Sequence, residues 1–137
     1  MYLVDTSVWI HALRSSGHST IQTLLKPLIV SGDIAITDWI LLELMTGLSK
    51  SERPETLIRW FMPVHRLPFE PTWWEKTWNH AASLRKRGFS PGAADCLIAT
   101  VAMEHRVSLL HCDTDFETMK SVLPLETADW TPHLAKR

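Results

Sequence analysis

Tyr2-Leu3-Val4-Asp5-Thr6-Ser7-Val8-Trp9-Ile10 opens the chain, and the reading of this stretch decides the fold. Its first three residues form a short, unbroken apolar run. A strand buried on both faces reads this way, because neither side calls for a polar residue. Thr6 and Ser7 supply N-cap chemistry, and residues 8–13 continue as a helix. A buried strand that runs straight into a helix begins a βα unit, and such units build parallel sheets. Asp5 stands at the junction. It marks the carboxyl end of the strand, where open α/β sheets bind ligands, although an Asp there also caps a helix.

The same alternation runs through the rest of the chain. Ser15-Ser16-Gly17 breaks the first helix. Ile21, Leu24, Leu25, Leu28 and Ile29 mark a second helix over 19–30, in which Pro27 predicts a kink or an early end. A turn at 31–33 leads to a strand at 34–36. Thr37 or Asp38 caps a helix that runs to Thr46 and stops at Gly47. Residues 54–62 read as a helix, 64–67 as a strand, and 71–87 as a long helix ended by Gly88. Ser90 and Pro91, as N-cap and first helical residue, open another helix that reaches about Glu104. Strands at 107–110 and 122–125 flank a short helix at 115–121. The fold class is α/β, with helices covering both faces of a parallel sheet. The length suits one domain, taken as 1–130, with a polar tail over 131–137 expected to be flexible.

Composition narrows the function classes. With 45% hydrophobic and 21% charged residues, the chain is a globular protein and not a disordered one. A net charge of −1 does not mark a strong phosphate binder, although Arg85-Lys86-Arg87 and residues 50–53 are locally basic. Two cysteines make no disulfide framework. With no secretory signal and no apolar run long enough to span a bilayer, the expected location is the cytoplasm, with no membrane partner.

Acids stand where a structural residue would be apolar. Asp5 ends one strand, and Asp113 follows another through Leu110-His111-Cys112. Two acids that end parallel strands share one edge of the sheet. Glu43 lies within Ile40-Leu41-Leu42-Glu43-Leu44-Met45, where a buried carboxylate needs a partner. Asp95 is expected in the second turn of its helix, sharing a face with Ile98, Ala99 and Ala102. Four carboxylates in one cleft repel one another, and a hard divalent cation, Mg2+ or Mn2+, resolves that repulsion through oxygen ligands. No HExxH pattern or cysteine pair offers a competing zinc site. Such a cleft suits phosphodiester cleavage. Asp5, Glu43, Asp95 and Asp113 are therefore both catalytic and metal-ligating candidates. Thr6, Ser7, Asp115 and His111 are candidates for the surrounding shell, with helix capping or plain packing as the alternative role of each.

These four segments resemble a known family. Val4-Asp5-Thr6-Ser7-Val8-Trp9-Ile10 is similar to the opening motif of PIN domains. Glu43-Leu44-Met45-Thr46-Gly47, Asp95-Cys96-Leu97-Ile98-Ala99-Thr100-Val101-Ala102 and Leu110-His111-Cys112-Asp113-Thr114-Asp115-Phe116 resemble the second, third and fourth, in order. The resemblance implies a three-layer α/β/α sandwich around a five-stranded parallel sheet, and cleavage of RNA with Mg2+ or Mn2+. Compact chains of this kind resemble VapC toxins. That implies an RNA substrate (transfer or ribosomal RNA), a cognate antitoxin protein and a homodimer. His111 departs from the family, which often has Thr or Ser there.

Two further readings compete. One is a non-catalytic PIN-like module that binds RNA or antitoxin, against which all four acids are present. The other is a phosphatase of the haloacid dehalogenase type, which needs a second Asp where this chain has Ser7. Trp74 and Trp78 share a helix face while Trp73 points elsewhere, and packing or a dimer contact is favoured over base stacking. Trp9 is expected to face the core or an antitoxin groove.

Overall fold

The computed structural model describes residues 1–14 and 16–135. In chain order the elements are β1 (Tyr2–Val4), α1 (Thr6–Leu13), α2 (Ser19–Ser31), β2 (Ile34–Ile36), α3 (Asp38–Thr46), α4 (Pro54–Phe61), β3 (His65–Arg66), α5 (Trp74–Lys86), α6 (Ala93–His105), β4 (Ser108–His111), α7 (Asp115–Lys120) and β5 (Thr127–Asp129). The strands pair in parallel in the order β3-β2-β1-β4-β5. Leu3 lies opposite Ala35 on one side and Leu109 on the other. Leu3, Val4, Ala35, Ile36, Leu109 and Leu110 are all fully buried, as strands covered on both faces require.

Topology then positions the site. The chain steps outward from β1 to β2 to β3, then crosses back to set β4 on the other side of β1. Right-handed crossovers that run in opposite directions place their helices on opposite faces, which produces the three-layer sandwich. Strand order reverses between β1 and β4. Their carboxyl ends form the switch point where open sheets leave a crevice. Asp5 follows β1 directly, and Asp113 lies two residues beyond β4.

Several boundaries differ from the sequence reading, each for a physical reason. Asp5 itself is the N-cap of α1, with its side chain accepting from the Ser7 N–H, so Thr6 and Ser7 lie inside the helix. Helix α2 passes through Pro27 and ends at Ser31, where Gly32 takes a left-handed conformation at φ 73°. Pro27 is exposed, so water can serve the carbonyl its missing N–H leaves free. Gly92, not Ser90, is the N-cap of α6, which moves Asp95 into the first turn. The expected long helix over 71–87 begins as a 3-10 turn, Pro71–Trp73, before α5. The last strand is Thr127–Asp129 and not 122–125. Leu123 and Leu125 are buried, but Pro124 between them lacks the N–H that a ladder needs. Of the expected break at 15–17, Ser15 lies outside the described residues.

Residues 131–135 form a 3-10 turn, Thr131–Ala135. Asp129 Oδ1 accepts from the Thr131 N–H at 2.9 Å and from its hydroxyl at 2.6 Å, and His18 Nε2 lies 3.0 Å from the Leu134 carbonyl oxygen. Lys136 and Arg137, the end of the expected flexible tail, lie outside the described residues. Among the described residues no helix is long and apolar enough to cross a membrane.

The aromatic residues divide. Trp9 is buried, donates from Nε1 to the Val4 carbonyl at 3.0 Å and meets Phe61 edge-on at 4.8 Å. Trp73 packs edge-on against Phe69 and His105. Trp74 and Trp78 are 49% and 61% exposed, so they do not pack into this chain's core.

Leu110 is fully buried in β4, between β1 and β5. Leu110→Ala is expected to destabilise the fold by about 3 kcal/mol, within the ~2–5 kcal/mol that such truncations cost. The check is the urea midpoint at an unchanged m-value.

Candidate active site

Parallel pairing of β1 with β4 builds the site from the backbone outward. The Asp5 N–H donates to the Leu110 carbonyl at 2.9 Å, which continues the ladder one residue past β1. Asp5 Oδ2 then accepts two bonds from Ser7, from its N–H at 3.0 Å and its hydroxyl at 2.7 Å. Ser7 Oγ in turn accepts from the Cys112 N–H at 2.9 Å. A single hydroxyl thus links the turn after β4 to the carboxylate after β1. This bridge escapes sequence reading, because capping and bridging call for the same residue type.

The other acids approach from flanking elements. The Thr6 hydroxyl donates to Glu43 Oε1 at 2.8 Å, which fixes the α3 carboxylate at the start of α1. Asp95 enters from the first turn of α6. Asp113 is held by its turn: its N–H donates to His111 Nδ1 at 3.1 Å, and its Oδ1 accepts from the Asp115 N–H at 3.0 Å. Carboxylate oxygens of Asp95, Asp113 and Asp115 all lie within 4.8 Å of one another. Asp115 therefore sits closer to the centre than its expected outer role. Its position two residues after Asp113 was the available signal.

Electrostatics show the crowding. Asp95 has its pKa pushed up to about 7, first by burial and then by the charges of Asp5, Asp113, Asp115 and Glu43. Asp5 is raised by burial and by Asp113, against the lowering effect of its bonds from Ser7 and Thr6. Glu43 is raised by burial and by Asp5, against its bond from Thr6. All four expected acids thus act on one another, with Asp95 as the hub. Among the described residues, no Lys or Arg forms an ion pair with any of them. A set of carboxylate oxygens without a neutralising cation fits a hard divalent ion. The nearby thiols offer no nucleophile. Burial, Asp129 and Asp5 push Cys112 up to about 11, and burial with Asp95 raises Cys96.

An open groove of about 770 Å³ adjoins the cluster, running between α1, α3 and α4 and reaching Thr6 and Glu43. Trp9, Leu13, Leu44, Leu57 and Trp60 give it apolar walls, with Arg14, Arg53 and Glu52 among them. Trp9 therefore serves both the core and the groove.

Crowding of this kind makes the stability of the metal-free chain depend on pH. The Asp95 carboxyl ionises near its ordinary 3.8 in the unfolded chain but only near about 7 in the fold. Between those values the folded state binds more protons, so stability falls as pH rises from about 4 to 7. The expected result is a urea midpoint for chelator-treated protein that declines across that window, with Asp95→Asn flattening the decline. An equal decline in the variant would show that Asp95 is not the hub.

Comparison with known proteins bears on the fold and the family. Ribonuclease VapC11 of Mycobacterium tuberculosis is 26% identical over 136 residues, covering 95% of this chain and 99% of its own. VapBC2 of Rickettsia felis, solved bound to a DNA fragment from their promoter, matches with a TM-score of 0.73 at 22% identity, over 94% of this chain and 98% of that one. A toxin–antitoxin complex from Klebsiella pneumoniae matches at 0.67 and 21% identity, over 92% and 99%. At such identities the structural likeness speaks to the fold. The PIN domain family model matches residues 2–121, a span that contains Asp5, Glu43, Asp95, Asp113 and Asp115, and the chain belongs to the PIN domain family.

Proposed function

We propose that this chain is an endoribonuclease that works with a bound Mg2+ or Mn2+ ion, and that it is the toxin of a toxin–antitoxin pair. One observation carries the reading: three carboxylates within 4.8 Å of one another at the switch point of the sheet, with the Asp95 pKa pushed up to about 7 by burial and by the surrounding acids. The resemblance to a VapC ribonuclease over almost the whole chain supports RNA as the substrate. The toxin–antitoxin complex of the same fold supports an antitoxin partner.

Asp95, Asp113 and Asp115 would hold the ion. When bound, it neutralises charge on the scissile phosphate and lowers the pKa of a coordinated water. Asp5, aimed by Ser7, completes the negative wall of the cleft. Glu43 is fixed through Oε1 by Thr6, which leaves Oε2 to take a proton from water, and its raised pKa suits that role. The apolar groove beside Glu43 fits a segment of the antitoxin, and a cationic side chain at its inner end would meet Glu43. The exposed Trp74 and Trp78 support pairing with a second copy. The compartment for this activity is the cytoplasm.

Asp5→Asn and Asp95→Asn are each expected to lower cleavage about a thousandfold, which corresponds to roughly 4 kcal/mol of transition-state stabilisation. Circular dichroism is expected to be unchanged. Chelation is expected to stop cleavage and added Mg2+ or Mn2+ to restore it. Sequencing RNA ends after brief induction, with the Asp5→Asn chain as control, identifies the substrate. Cutting that survives both substitutions would remove this site from the reaction.

A further inference from the structure

His111 is fully buried, and both of its ring nitrogens are engaged. Nδ1 accepts from the Asp113 N–H at 3.1 Å, so it carries no proton. The ring proton therefore rides on Nε2, which lies 2.8 Å from Glu117 Oε2 and donates to it. The ring also leans on buried Phe116 at 5.3 Å. Three groups thus fix the orientation and tautomer of this imidazole, and its free lone pair points at the backbone of Asp113.

That backbone matters because the turn carries two of the three clustered acids. Asp113 Oδ1 accepts from the Asp115 N–H, which ties the Asp113 carboxylate to the backbone that carries Asp115 and joins the two residues in one unit. The N–H before this unit, on Cys112, is held by Ser7, and the next, on Asp113, is held by His111. An unheld N–H there would leave the turn free to rotate. Small losses of alignment weaken a metal site, which is why partners behind the ligands count nearly as much as the ligands.

We infer that His111 is a positioning residue for the cation site, and that Glu117 sets its tautomer. Glu117 keeps the proton on Nε2 so that Nδ1 stays an acceptor for the Asp113 N–H. Without that acceptor the ring can take the other tautomer. Nδ1–H then faces the Asp113 N–H, and Asp129 Oδ1, 4.0 Å from Nδ1, draws it away. This inference rests on the metal-dependent reading of the site given above.

The test measures binding of Mn2+ alone to the full chain by isothermal titration, with no RNA present. His111→Asn keeps an acceptor at the place of Nδ1, while His111→Gln keeps a donor at the place of Nε2. The Gln variant is expected to bind Mn2+ about 10–100-fold more weakly and the Asn variant close to the parent. Equal affinity in the two overturns the inference. A second pair decides the matter should burial prevent the His111 variants from folding. Glu117→Gln and Glu117→Ala remove the same charge, but only Gln retains an acceptor. The Ala variant is expected to bind more weakly than Gln, with nitrogen NMR showing the Nε2–H tautomer of His111 in the parent and in Gln but not in Ala. Equal binding by this pair, or an Nδ1–H tautomer in the parent, overturns the inference. A parent chain that binds no Mn2+ overturns the metal reading itself. A parent that binds Mn2+ while the pairs do not split overturns only the role given to His111 and Glu117.

Discussion

Two short strands hold like charges together. The pairing of β1 with β4, buried on both faces, forces the Asp5 and Asp113 carboxylates to share one pole of the sheet. Left in water, these groups would separate. Here hydrophobic burial of Leu3, Val4, Leu109 and Leu110 opposes the repulsion, and burial of the carboxyls, together with that repulsion, raises the pKa values of Asp5, Glu43 and Asp95. The remaining features of the site follow from this opposition. Ser7 and Thr6 each spend a hydroxyl on aiming a carboxylate, and α6 delivers Asp95 from its first turn, where the helix dipole favours a negative charge.

Holding the acids this firmly serves chemistry more than stability. A carboxylate free to swing away would relieve the repulsion but would also lose its aim. Three of the acids are restrained by a bond of their own: Asp5 by Ser7, Glu43 by Thr6, and Asp113 through its backbone by His111. The bonds from Ser7 and to His111 lie within a single turn, whereas the bond from Thr6 joins α1 to α3 and so forms only when those helices meet. Preorganisation of this sort leaves little for a ligand to rearrange on arrival.

Much of this was legible in the chain, and the rest was hidden for identifiable reasons. The apolar runs at β1, β2 and β4 and the acids that follow β1 and β4 are local patterns, and both the sheet and the cluster follow from them. The position of β5 was not legible, because Leu123 and Leu125 fill the core from a loop just as strand residues would. The start of α6 was misplaced because Ser90-Pro91 has the composition of a helix start, whereas the backbone enters the helix only after Gly92. The closeness of Asp115 and the bridge through Ser7 depend on side-chain rotamers across the β1–β4 gap, on which spacing is silent. His111 was singled out as a departure from its family, but its partner Glu117 lies on the next helix and carried no mark of its own.

Glu43 belongs to two places at once: it lines the apolar groove and its charge acts on Asp95. Thermodynamic linkage makes this shared wall a coupling between them. Whatever seats itself in the groove and alters the field at Glu43 changes the affinity of the acid pocket for its cation, and the cation changes the affinity of the groove by the same factor. An occupant of the groove and a cation in the pocket would then report on each other across one side chain, with no need for a conformational change elsewhere in the sandwich.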